Sequence, residues 1–148
     1  MSRGDRAYEL FMIGFNCTQS VAGAFSDLMG MDFDTVVRLA SGFGGGIGRL
    51  REVCGTFSGA VMVLNAIYGY SDPKAVKAKT ELYSEIQQLA AQFTADNGSL
   101  ICRELLGLAK PEGSPIPSER TGEYYQKRPC PELCRYAANM LEEYLASR

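Results

Sequence analysis

Five cysteines, Cys17, Cys54, Cys102, Cys130 and Cys134, are the side chains of this sequence best suited to chemistry. Histidine is absent from all 148 residues. That removes the commonest general base and the commonest metal ligand. A Ser-His-Asp or Cys-His mechanism is excluded for the chain alone. So are His-ligated zinc, a proximal-His haem and a Cys-x-x-Cys-His haem attachment. Metal ligands would have to be Cys, Asp, Glu, Tyr, Met or backbone groups. An odd number of cysteines, with no export signal, argues against a structural disulfide framework. Several reduced thiols suggest metal binding or redox work, while any one buried Cys can equally pack as a small hydrophobe. No Cys-x-x-Cys pair occurs, and Cys130-x-x-x-Cys134 is the closest spacing. A zinc ribbon or thioredoxin-type motif is therefore not expected. The remaining cysteines can meet only through the tertiary fold.

The elements that must position them are helical. Apolar residues recur at helical spacing, glycine or proline separates the runs, and alternation of β-branched residues is nearly absent. The expected fold is all-α: a compact multi-helix bundle of about six helices, one domain over residues 1–148, with a Gly-rich loop before the central helix. A first helix is expected from about Arg3 to Ile13, stopped by Gly14. A second starts near Asn16 or Cys17, carries Val21, Ala24, Phe25 and Leu28, and ends at Gly30. Asp32 or Asp34 caps a short helix through Leu39. The run from Ser41 to Gly48 must be a loop, because its glycines permit left-handed backbone and close approach. The most apolar helix follows, from about Glu52 to Tyr68, with Phe57, Val61, Leu64 and Tyr68 on one stripe. Gly55 and Gly59 lie one turn apart on it and let another helix, or a bound group, come close.

Ser71-Asp72-Pro73 reads as the start of a long helix to about Asp96 that turns Val76, Tyr83, Ile86, Ala90 and Phe93 inward. Ser99 caps a short helix with Cys102, Leu105 and Leu106, stopped by Gly107. Residues 110–128 read as an irregular loop, long enough to cover something. Pro129-Cys130-Pro131 opens the last helix, with Leu133, Ala137, Met140, Leu141 and Tyr144 facing the core. Four cysteines, Cys17, Cys54, Cys102 and Cys130, thus fall at helix N-termini. There the free N–H groups and the helix dipole favour thiolate, so lowered pKa values are expected. Cys134 lies one turn beyond Cys130, as a resolving thiol, an extra ligand or a core residue.

Cys54-Gly-Thr-Phe-Ser-Gly59 follows a glycine-rich run and opens an apolar helix. Cys17 stands upstream of it, and Cys102 and the Cys130-Pro-Glu-Leu133 element downstream. This pattern resembles the redox-active proteins named for their C_GCAxxG_C_C cysteines, from about Asn16 to Tyr144. By motif position the family's four cysteines are Cys17, Cys54, Cys102 and Cys130, and its glycines are Gly55 and Gly59. Thr56 stands where the family usually has alanine, which adds a hydroxyl near the motif. Cys134 stands where an aliphatic residue is expected. The resemblance implies a redox role without naming a substrate.

Three functions stay open. In the first, Cys17, Cys54, Cys102 and Cys130 hold an iron–sulfur cluster or other metal ion for electron transfer. The Phe43–Arg49 loop, with Gly45 and Gly46, and the helix glycines Gly55 and Gly59 would then bring backbone close to the bound group. In the second, the same cysteines perform metal-free thiol–disulfide exchange, with Cys54 as nucleophile. The third is a non-catalytic binding or structural module. An oxidoreductase or other redox partner protein is the expected partner, and a homodimer is compatible with the apolar helices. A formal net charge of −2 without a concentrated basic patch gives no sign of a nucleic-acid partner. The basic residues nearest to a cluster are Arg49, Arg51, Lys127 and Arg128. The apolar stretch from Phe57 to Tyr68 is too short to cross a bilayer. Glu9 interrupts what would be a signal peptide's apolar region, so a cytoplasmic location is expected. No strand precedes Gly42–Gly48 and no Gly-Lys-Ser/Thr follows it, so nucleotide binding is not expected. Tyr124, Tyr125 and Arg120 read as a solvated loop in preference to a pocket wall.

Overall fold

Helices form where an apolar period and a cap coincide. A computed structural model describes residues 1–108 and 114–148. Helix α1 (Arg3–Met12) opens with a capping box, Asp5 N–H donating to Ser2 Oγ at 3.0 Å and Ser2 N–H to the Asp5 carboxylate at 3.3 Å. It buries Ala7, Leu10 and Phe11. Helix α2 (Cys17–Gly23) has the equivalent box from Asn16 and Gln19, at 2.9 and 3.0 Å.

The expected run of α2 to Gly30 is broken at Phe25, which leaves helical geometry (φ −118°, ψ 13°). Phe25 thereby enters the core fully buried, whereas Leu28 on the short α3 (Ser26–Met29) stays 47% exposed. Helix α4 (Phe33–Ala40) buries Val36, Val37 and Ala40. Asp32 occupies its cap position without a side-chain hydrogen bond. The glycine run that follows makes two tight turns, Ser41–Phe43 and Gly44–Ile47, with Gly45 and Gly46 left-handed at φ 68° and 70°.

The central helix α5 (Gly55–Tyr68) starts later than Glu52, because the preceding residues are extended. Val53 forms an isolated antiparallel bridge with Ile101. Phe57, Ala60, Val63 and Leu64 are buried, and Val61 and Tyr68 half-buried. Gly59 faces α2: a Cβ there would lie 2.9 Å from Thr18 O and from Val21 Cβ. Helix α6 (Val76–Asn97) also starts later than expected. Asp72 instead closes a turn, accepting from Lys74 N–H at 2.9 Å and from Ala75 N–H at 3.1 Å. The inward face is Leu82, Leu89 and Phe93, with Ile86 and Ala90 half-buried. Val76 and Tyr83 are 70% and 52% exposed, contrary to expectation. They belong to the flank of a helix that packs on the bundle along one side.

Helix α7 (Cys102–Leu105) is a single turn, entered through Ile101 with Ser99 Oγ accepting from Ile101 N–H at 3.0 Å. Of the expected irregular loop, residues 110–113 lie outside the described residues. Its later part contains a helix, α8 (Gly122–Lys127), capped by Thr121. Helix α9 (Cys130–Ser147) lies along α1, where Gly4 N–H donates to Asn139 Oδ1 at 3.0 Å. Leu133, Ala137, Met140 and Leu141 are buried and Tyr144 half-buried. Among the described residues six helices have seven residues or more, and no helix is long and apolar enough to cross a membrane.

Candidate functional site

Cys17, Cys54, Cys102 and Cys130 are widely separated in sequence, yet all four line one cavity of about 410 Å³. Each sits at a helix start. Cys17, Cys102 and Cys130 are the first residues of α2, α7 and α9, and Cys54 is the residue before α5.

Backbone pairing brings two of them together. Cys54 N–H donates to Leu100 O at 2.8 Å, and Cys102 N–H to Glu52 O at 2.6 Å. Arg103 reinforces this short ladder, its Nη1 lying 3.2 Å from a Glu52 carboxylate oxygen and 3.4 Å from Arg51 O. A buried hydrogen bond joins the other wall: Thr18 Oγ1 donates to Gly55 O at 2.8 Å and locks α2 onto the first turn of α5. Gly55 permits this approach, since a Cβ would fall 2.7 Å from Thr18 Oγ1 and 3.2 Å from Cys17 Cβ. Cys130 arrives on α9, where its thiol comes next to that of Cys17 and the two influence each other's protonation.

Gly44, Gly45, Gly46 and Gly48 also line the cavity. Gly46 has no room for a side chain: its Cβ would meet Glu52 N at 2.6 Å and Arg51 Cα at 2.7 Å. The same turn forces Ile47, Arg49 and Arg51 into the left-handed region, at φ 68°, 67° and 62°. That conformation is costly for residues with a Cβ, above all for a β-branched one, and such strain clusters where a precise geometry is needed. Gly59 is turned to helix packing and does not line the cavity.

All five cysteines are free thiols. Helix-start positions led to expected pKa values below the ordinary one, and the reverse holds. Burial pushes Cys54 up to about 11, even though its Sγ hydrogen-bonds Thr56 Oγ1 at 3.1 Å. Cys102 is raised by burial, against the opposing pull of Arg51, whose Nη1 lies 3.7 Å from its Sγ. The neighbouring Cys17 thiol and burial raise Cys130. For Cys17 the neighbouring Cys130 thiol favours thiolate. The Cys134 thiol, burial and the charge of the nearby thiols outweigh it. Desolvation penalises the charged form more than a helix terminus rewards it. Cys134 is fully buried, raised by burial, and absent from the cavity wall. It touches the site from behind, through Cys17.

The wall includes residues that sequence reasoning set aside. Arg49, Arg51, Arg120 and Arg128 all line the cavity, as does Tyr124. Arg120 is no solvated side chain. It donates to the carbonyls of Phe11 and of Phe15, the latter at 2.7 Å, and stacks 4.0 Å from the Phe11 ring centre. Burial pushes the Tyr124 hydroxyl up to about 12. No local motif marks these residues, because they meet the cysteines only through the fold. Among the described residues no group of three or more Cys, Asp or Glu side chains stands close enough to hold a single metal ion. The four thiols border one shared space.

The family model described as "Putative redox-active protein (C_GCAxxG_C_C)" matches residues 15–144. No curated protein and no solved structure matches the chain.

Proposed function

The chain belongs to the C_GCAxxG_C_C redox-active family, and from this premise we propose that it transfers electrons through a thiolate-bound iron–sulfur or related metal centre in the cysteine cavity. One observation carries the reading: four cysteines from four separate helix starts share one cavity with four arginines, and no carboxylate among the described residues lines it. Cys17, Cys54, Cys102 and Cys130 would hold the centre, which supplies reversible one-electron chemistry when bound. The chain's own part is to orient the sulfurs, to exclude water, and to set the electrostatics around them. Arg51 beside Cys102 and Thr56 beside Cys54 each favour negative charge on sulfur. The raised thiol pKa values weigh against metal-free exchange, since buried thiols left protonated are poor nucleophiles, and binding a metal centre would release those protons. A cytoplasmic setting, which keeps thiols reduced, and a redox partner protein complete the proposal.

Anaerobic purification and reconstitution, with iron, zinc and acid-labile sulfide analysis, test it. A coloured protein whose centre is lost in Cys17→Ser or Cys102→Ser is expected. A colourless, metal-free protein after reconstitution would overturn it.

A second reading is favoured by the Cys17 and Cys130 thiols, which share the cavity and influence each other's protonation. These two would close a disulfide as a partner's disulfide opens to two thiols, two electrons and two protons passing between them. Peptide mapping of the oxidised, metal-free protein separates the readings: a reversible Cys17–Cys130 bond supports the second.

A further inference from the structure

Cys134 is the one thiol that the proposed centre leaves unused. It is fully buried in α9, on the face that also buries Ala137, Ala138 and Leu141. An aliphatic side chain would fill that place. What sets Cys134 apart is its position relative to two other sulfurs. Cys130 lies one turn before it on the same helix, so the two share a face. The thiol of Cys17, at the start of α2, comes next to both of them. Cys54 and Cys102 belong to another wall, their N–H groups paired with the carbonyls of Leu100 and Glu52.

Exposure is graded across the group. Cys17 is half-buried, and the other four cysteines are buried. Cys17 is therefore the sulfur that a dissolved oxidant meets first, and Cys134 lies behind it, outside the cavity wall. Access then separates the two partners that Cys17 has on α9. A Cys17–Cys130 bond would border the cavity, where a dissolved thiol can reopen it. A Cys17–Cys134 bond would reach into the core, away from such attack. Exchange depends on access to sulfur, so bonds that open and re-form collect at the shielded pair.

We infer that Cys134 is the disulfide partner of Cys17 in the oxidised, metal-free chain, and that this bond takes Cys17 out of the cavity's ligand set until it is reduced. The second half of the inference rests on the reading of Cys17 as a ligand, and it gives that site a redox control. The oxidant is a small-molecule disulfide. Cys17, as thiolate, attacks one of its sulfurs, its S–S bond breaks, and one thiol leaves. Cys134, as thiolate, then attacks the Cys17 sulfur and expels the second thiol. The two electrons and two protons that the chain loses end on the two released thiols.

Incubation of the reduced, metal-free full chain with oxidised glutathione tests this. Remaining thiols are blocked with iodoacetamide, and tandem mass spectrometry of the unreduced peptides tells Cys130 from Cys134. A Cys17–Cys134 bond, reversed by dithiothreitol, is expected as the main product. Cys130→Ser should form it as the parent does. Cys134→Val, which fills the core with an aliphatic side chain, should stop at a Cys17–glutathione or Cys17–Cys130 bond. The bonded parent should take up at least tenfold less iron on reconstitution than the reduced parent, because the metal needs free thiolate. A main product of Cys17–Cys130, a glutathione adduct alone, or no oxidation of Cys17 in a chain that circular dichroism shows folded would overturn the inference. So would full iron uptake by the bonded chain. The bond itself is read without metal. A Cys17–Cys134 bond in a chain that takes up no metal when reduced refutes only the metal centre, and a chain that takes up metal but forms no such bond refutes only the pairing.

Discussion

At the scale of single residues, each cysteine has its own environment. Cys54 shares a buried hydrogen bond with Thr56, one of few contacts that oppose the upward push of burial on its thiol. Thr56→Val keeps the shape and removes the hydroxyl. Iodoacetamide alkylation of Cys54, followed by mass spectrometry, should slow by roughly fivefold, the equivalent of about 1 kcal/mol for one hydrogen bond. In the parent protein the Cys54 rate should climb about tenfold per pH unit from neutral pH until it levels near its pKa of about 11, because only thiolate reacts. A rate that levels near the pKa of an ordinary thiol would show that Cys54 is not desolvated.

At the scale of elements, glycines and one arginine hold the cavity's walls. Gly59 sits where α2 and α5 touch, and Gly46 where the loop crosses its own backbone. Gly59→Ala should destabilise the chain by about 1–3 kcal/mol in urea denaturation, the usual cost of overpacking. Gly46→Ala should cost more than Gly48→Ala. Both positions are left-handed, but only at Gly46 would the new Cβ strike backbone. Equal losses at the two sites would mean that the turn relaxes freely. Arg120 ties the segment leading into α8 to the end of α1, through the carbonyls of Phe11 and Phe15. Arg120→Ala should lower stability by about 1–3 kcal/mol and speed alkylation of Cys17 and Cys130, which line the same cavity. Unchanged alkylation would show that this segment does not shield the site.

At the scale of the molecule, the thiols couple the site to folding. Each cysteine is raised in the folded state, so the protonated form is the one the fold prefers. Below the ordinary thiol pKa both states are protonated, and the contribution to stability is complete. Above it the unfolded chain releases protons that the folded chain still holds. Stability then falls as pH rises through the folded-state values, which for Cys54 lie near 11. Reduced, metal-free protein should therefore show a denaturation midpoint that is flat near neutrality and drops above pH about 9. Loading a thiolate-bound metal centre reverses the preference, because it needs deprotonated sulfur, and should raise the midpoint at neutral pH.

Local signals placed the four cysteines near helix starts, although α5 and α6 begin later than those signals suggest. A capping Asn16, the glycine stops and Pro131 act within a few residues of themselves, and they suffice to place Cys17, Cys54, Cys102 and Cys130 at helix starts. The helical class and the left-handed glycine turn are legible for the same reason. The phase of α6 was not legible. Val76 and Tyr83 share the period of Phe93, and only the packing partner decides which side of a helix is buried. Tertiary structure alone brings the four cysteines to one cavity, leaves Cys134 behind its wall, and draws Arg51, Arg120 and Arg128 to the sulfurs. It also inverts the expected protonation of the thiols. A helix terminus is a local feature that sequence can reveal, whereas desolvation is set by everything that packs around a sulfur, and at Cys54 and Cys102 desolvation is the largest influence.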